Sequence, residues 1–113
     1  MQIAKSDIPV KKLAFRMKLK PGYKEEYQRR HSEIWPELLQ LLKSSGICQY
    51  SIYFDEETNY LFAVQQVNGA ASSQELGTDP VVQKWWSYMS DIMETNQDLS
   101  PVSIPLAMLF HME

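Results

Sequence analysis

Cysteine occurs once in the 113 residues, at Cys48. A lone thiol closes no internal disulfide, so a reducing cytoplasm is the expected setting. Histidine occurs twice, and His31 and His111 lie far apart in the chain. With one thiol they offer no metal-ligand spacing, so no metal is expected. The four glycines form no Gly-rich loop for a phosphate or dinucleotide, and no cofactor is expected. No apolar run approaches the roughly 20 residues of a membrane-crossing helix. The opening MQIAKSDIPVKK has no apolar export signal. Lys and Arg number 11 against 14 Asp and Glu, for a net charge of −3, and the two signs are interleaved. Nucleic-acid binding needs a concentrated basic face, so no such partner is expected, nor a membrane. Glu33, Glu37, Asp91 and Glu94 form no opposed carboxylate pair by spacing, which argues against glycoside cleavage. A nucleophilic triad lacks its nucleophile.

What the chain does have is aromatic surface: three tryptophans and six tyrosines. These fill a core or line a pocket. The length suits one domain, with residues 1–11 expected as a loose leader and 12–113 as the folded unit. Leu13, Phe15, Met17 and Leu19 alternate with basic residues, predicting a strand from Lys12 to Lys20 that Pro21–Gly22 ends. Tyr23–Ser45 reads as helix, with Gly46 as its stop and Pro36 forcing a kink or a division into two. Ile47–Phe54 and Tyr60–Val67 read as a hairpin around DEETN, with Cys48, Tyr50, Ile52 and Phe54 sharing a face. Asp79–Pro80 opens a second helix running to about Glu94, and Ile104–Met112 alternates as a last strand. The order β-α-β-β-α-β predicts an α+β, ferredoxin-like sandwich of the dimeric α/β barrel type, its open sheet face buried in a homodimer.

The segment EEYQRRHSEIWPE sets Tyr27 and His31 one helical turn apart. One reading makes His31 a buried ring bonded to a neighbour. The other makes it a general acid–base, since histidine alone titrates near neutrality when unperturbed. At i and i+4 the Tyr27 hydroxyl and the imidazole could address one small molecule. Trp85 and Trp86, adjacent on a helix, point about 100° apart, so one ring is expected to pack and the other to line a cleft. Tyr50 either joins the core or offers its hydroxyl to that cleft. His111 reads as structural. One histidine with polar aromatics and no metal suits proton transfer to and from oxygen.

The stretches EEYQRRHSEIWPEL, GICQYSIYFDEETNYLF and QKWWSYMSDIMETNQDLSPV together resemble the L-rhamnose mutarotase family, and the resemblance spans Leu13 to Phe110. It implies an isomerase that interconverts the α and β anomers of L-rhamnose without metal or cofactor, in a ferredoxin-like homodimer joined through its sheets. It implies His31 as the catalytic proton donor, with Tyr27, Tyr50, Trp85 and Trp86 binding the sugar. Ser32 stands where the family commonly has Asn or Asp, and TNQDLSP where a TNPDNSP-like stretch is usual. The expected mechanism has protonated His31 donate to the ring oxygen while an unidentified base takes the anomeric proton. Ferredoxin-like chains of this size also include cofactor-free or haem-associated monooxygenases and non-catalytic small-ligand modules.

Overall fold

The computed structural model describes residues 10–68 and 72–113. Most of the expected leader lies outside them, and Lys11 already belongs to the first strand. Period-two alternation makes Lys11–Lys18 strand β1, with Phe15 and Met17 turned into the core and Arg16 to the opposite face. The strand stops before Lys20, and Leu19 continues it only as a single bridge to Met93.

Lys24–Ser32 forms α1 and Pro36–Ser44 forms α2, so Pro36 divides the helix in two. The proline ring disfavours helical geometry at the residue before it. Trp35 is accordingly extended, at φ −61° and ψ 133°. Pro36 then fills the first turn of α2, where a missing N–H is no loss. Gly46, at φ +86°, ends α2 in a left-handed conformation that side chains disfavour.

Ile47–Phe54 is β2 and Tyr60–Val67 is β3. In the turn between them the Asp55 carboxylate accepts from the Glu57 N–H and the Thr58 hydroxyl. The simple alternation expected for β2 is corrected. Its register shifts between Cys48 and Ser51, where Gln49 sits at φ 49°. A bulge inserts one residue and inverts the inside–outside parity. Ile47 is therefore buried and Cys48 exposed, while Tyr50, Ile52 and Phe54 pack against the core.

A 3-10 turn at Ser73–Glu75 precedes α3, Pro80–Met89. Asp79 caps α3, its Oδ1 accepting from the Val81 N–H at 2.8 Å. The helix ends well short of Glu94. Ile92 and Met93 are still buried, yet they pair with the end of β1 instead of extending α3. There the Lys20 N–H donates to the Ile92 carbonyl at 2.9 Å and the Glu94 N–H to the Lys18 carbonyl at 3.0 Å. The last strand is shorter too: β4 is Ile104–Leu106, paired with Ala14–Arg16. Pro105 is tolerated because β4 is an edge strand. Beyond it Met108, Leu109, Phe110 and Met112 are exposed.

The sheet runs β2–β3–β1–β4 with every neighbour antiparallel. This is the expected ferredoxin-like order, with the first helix split. The core lies between the sheet and the helices, from Phe15, Met17, Leu61 and Ala63 to Leu38, Val82 and Met89.

Candidate active site

Tyr27 and His31 share the inward face of α1, as their spacing requires. Their rings stack with centroids 4.3 Å apart, and Trp85 of α3 meets the imidazole edge-on at 5.4 Å. Trp35, turned by its extended backbone, packs edge-on against Trp85 at 5.0 Å and stacks on Tyr88 at 5.6 Å. The imidazole is thus held by aromatic neighbours from two helices.

His31 Nδ1 lies 3.1 Å from the Tyr27 carbonyl oxygen. A carbonyl only accepts, so Nδ1 carries a proton and Nε2 is the basic nitrogen of the neutral ring. Among the described residues no hydrogen bond reaches Nε2. Burial lowers the His31 pKa from its ordinary 6.5, and the carbonyl bond, which favours the charged ring, opposes that only in part. The neutral imidazole is the major form near pH 7.

Arg30 fixes the helix that carries His31. It is only 8% exposed and donates Nη1 to the Tyr88 carbonyl at 2.8 Å and to Asp91 at 2.9 Å, and Nε to Glu26 at 2.7 Å. A cation at the carbonyl end of α3 is favoured by the helix dipole. The bond pins α1 to α3, and so holds His31 beside Trp85.

A cavity of about 700 Å³ opens between the helices and the inner sheet face, and Tyr27, His31, Tyr50, Trp85 and Trp86 all lie on its wall. Small-ligand sites span roughly 300–1,000 Å³. The structure therefore brings together all five residues singled out by sequence. The expected division of labour between the tryptophans is corrected, since each is 9% exposed and each both packs in the core and lines the cavity. Trp86 occupies the space above Gly77, where an added Cβ would lie 2.7 Å from Cζ3 and 2.8 Å from Cη2. His111 is exposed, with its Nε2 3.4 Å from Lys12 Nζ.

Ser73 also lines the cavity and Gln65 supports it from β3, two residues that the sequence alone does not single out. Ser73 Oγ donates to the Tyr50 hydroxyl at 3.3 Å and accepts from Gln65 Nε2 at 3.0 Å. Their signal was present: Gln65 interrupts the inward row Leu61, Ala63, Val67 with a polar side chain that has to find partners. Burial raises the Tyr50 pKa, partly offset by the Ser73 bond. Burial, then the nearby Tyr50, pushes Tyr27 well above 10. Both phenols keep their protons at neutral pH. Among the described residues no three His, Cys, Asp or Glu side chains converge as a metal site, and no helix is long and apolar enough to cross a membrane.

The L-rhamnose mutarotase family profile matches residues 12–112. The chain belongs to the L-rhamnose mutarotase family. An L-rhamnose mutarotase of Bacteroides thetaiotaomicron is 59% identical over 104 residues, covering 92% of this chain and all of that one. One from Phocaeicola vulgatus is 56% identical over the same length. The crystal structure of an L-rhamnose mutarotase from Formosa agariphila superposes with a TM-score of 0.85 at 53% identity, covering 91% of this chain and 99% of that one. The L-rhamnose mutarotase assignment thus spans the whole sandwich and the cavity within it. Neither a monooxygenase nor a passive binding module finds support in these matches.

Proposed function

We propose that this chain interconverts the α and β anomers of L-rhamnose, with His31 as its proton carrier and Tyr27, Tyr50, Trp85 and Trp86 binding the sugar. The observation that carries the reading is an imidazole on the cavity wall with its Nδ1 tied to the Tyr27 carbonyl and no hydrogen bond to Nε2 among the described residues. Mutarotation breaks the bond between C1 and the ring oxygen while the anomeric hydroxyl loses a proton, then recloses on the other face of C1. Free sugars do this in water, so positioned proton transfer is the help the reaction needs.

The mechanism expected from sequence starts with His31 protonated. Its lowered pKa favours the opposite start. Neutral His31 takes the anomeric proton as the ring opens and, as imidazolium, donates it back when the ring closes. The tryptophan rings suit the apolar C–H edge of a sugar and limit water, while the tyrosine hydroxyls suit its oxygens. The catalytic unit is taken as residues 12–113, a reading supported by the family match over residues 12–112. Two copies are proposed to associate through the outer sheet face and the exposed tail, where Leu109 is 94% and Phe110 81% exposed. A cytoplasmic location fits the exposed free thiol of Cys48.

NMR exchange spectroscopy on the anomeric protons of L-rhamnose tests the assignment. Wild type should accelerate exchange, and His31→Ala should lose on the order of 10²–10⁴-fold while keeping its circular dichroism spectrum. An unchanged rate in that variant removes His31 from the mechanism. Trp86→Ala should mainly weaken binding, and a panel of deoxy-sugars and pentoses in the same assay defines specificity.

A further inference from the structure

The mutarotase reading, on which this inference rests, leaves one proton without a source. While His31 takes the anomeric proton, the ring oxygen has to receive another. The buried chain Gln65–Ser73–Tyr50 fixes which hydroxyl can supply it.

The Ser73 backbone N–H sets the direction of the Gln65 bonds, and the Gln74 amide as oriented here sets the rest. The Ser73 backbone N–H can only donate, and it lies 2.9 Å from Gln65 Oε1. That sets the Gln65 amide, turning Nε2 to donate to Ser73 Oγ at 3.0 Å. Gln74 Nε2 gives the same oxygen a second donor at 3.4 Å. With both acceptor positions of Ser73 Oγ filled, its own hydrogen goes to the Tyr50 hydroxyl at 3.3 Å. Tyr50 therefore accepts from the loop side, and its O–H is free for the cavity that Tyr50 and Ser73 both line. Gln65 is 2% exposed on the core face of β3, a costly place for an amide without partners.

We infer that Tyr50 is the catalytic acid that protonates the ring oxygen, and that Gln65 and Ser73 are positioning residues that turn its O–H into the cavity. On opening, the C1–ring oxygen bond breaks and its electron pair stays on the ring oxygen, which takes the Tyr50 proton. The anomeric oxygen gives its proton to His31 Nε2 and becomes a carbonyl. The Tyr50 phenolate left behind is stabilised by the Ser73 hydroxyl. Rotation about C1–C2 and reclosure return both protons, with no change of oxidation state. Tyr27 is the rival donor. It is the poorer one, because no hydrogen bond among the described residues orients its hydroxyl, whereas Ser73 orients that of Tyr50.

The test is L-rhamnose anomer exchange by NMR at varied sugar concentration and pH, in wild type, Tyr50→Phe, Tyr27→Phe, Ser73→Ala and Ser73→Thr. Tyr50→Phe should lower kcat by about 10²-fold with KM within about threefold of wild type. Ser73→Ala should lower kcat by roughly tenfold and move the alkaline limb of the kcat profile to higher pH, and Ser73→Thr should restore both. A merely structural serine would not move that limb. Near-wild-type kcat in Tyr50→Phe, or a larger kcat loss in Tyr27→Phe, overturns the inference. So does a Ser73→Ala variant that changes KM alone. If Ser73→Ala does not fold, Tyr50→Phe and Tyr27→Phe decide, since each removes only a hydroxyl. Absence of acceleration by wild type defeats the mutarotase reading itself. Loss in His31→Ala with retention in Tyr50→Phe leaves that reading standing and removes only Tyr50.

Discussion

Along β3, Leu61, Ala63, Gln65 and Val67 are no more than 2% exposed, while Phe62, Val64 and Gln66 point from the opposite face of the same strand. The first row lies under the helices and the second row has no covering element among the described residues. Apolar content hardly separates the two faces, since the second continues into Tyr53, Ile104 and Leu106. They differ in how their polar groups are used. On the inner side His31 is bonded to the Tyr27 carbonyl and Gln65 to Ser73, each in one orientation. On the outer side Arg16 lies 4.5 Å above the Tyr60 ring, and its Nε is buried with no partner among the described residues. Directed polar groups in a lined cavity make chemistry possible, while a bare apolar face with loosely used cations is surface suited to association.

Substitutions on the two faces put that contrast at risk. Leu61→Ala should cost about 2–5 kcal/mol in denaturant unfolding, because the core cannot close fully around the void. An equally large loss from Val64→Ala, expected below about 1 kcal/mol, would erase the distinction. Arg30→Met should cost about 1–3 kcal/mol, less than loss of a fully buried ion pair because Asp91 is 65% exposed and solvent screens it. The ion pairs around Arg30 also set an acid dependence. Arg29 and then Arg30 hold the Glu26 carboxyl down from 4.5 to about 2. Its contribution to stability is complete above 4.5 and disappears as pH falls through about 2.

Gly77→Ala should cost about 1–3 kcal/mol and perturb Trp86 fluorescence, since the new methyl group meets the indole edge. Unchanged fluorescence would mean that the loop yields instead of the ring. The smallest effect on folding belongs to the outer face: Val64→Arg should change stability by no more than roughly 0.5 kcal/mol. If two copies associate through this face as proposed, the same variant should sediment as a monomer where wild type sediments as a dimer. A wild type that sediments as a monomer would sharpen the comparison differently, leaving the outer face without a partner copy.

The elements and the cavity wall were legible from sequence because they depend on local rules. Pro36 had to divide its helix, Asp79 had to cap the next, and residues four apart on a helix had to share a face. What escaped depends on contacts distant in sequence. Ile92 and Met93 keep helical spacing, yet the end of β1 draws them into a bridge. The Gln49 bulge is set by the register against β3, which no pattern within β2 reveals. The strand expected through Met112 stops at Leu106, where its pairing with Ala14 of β1 ends. Gln65 was visible as an oddity, but its meaning needed Ser73 brought across from a loop.

The central claim is that His31 works as a neutral base inside the cavity, and one paired measurement reaches it most directly. The ring of His31 would be titrated by ¹⁵N NMR while the rate of L-rhamnose anomer exchange is followed over the same pH range. Because burial disfavours the imidazolium, the ring should titrate below 6.5 with Nδ1 protonated in the neutral form, and kcat/KM should fall with that midpoint as pH drops. A rate that stays level through the His31 titration, or one that rises as the ring gains its second proton, would contradict the account.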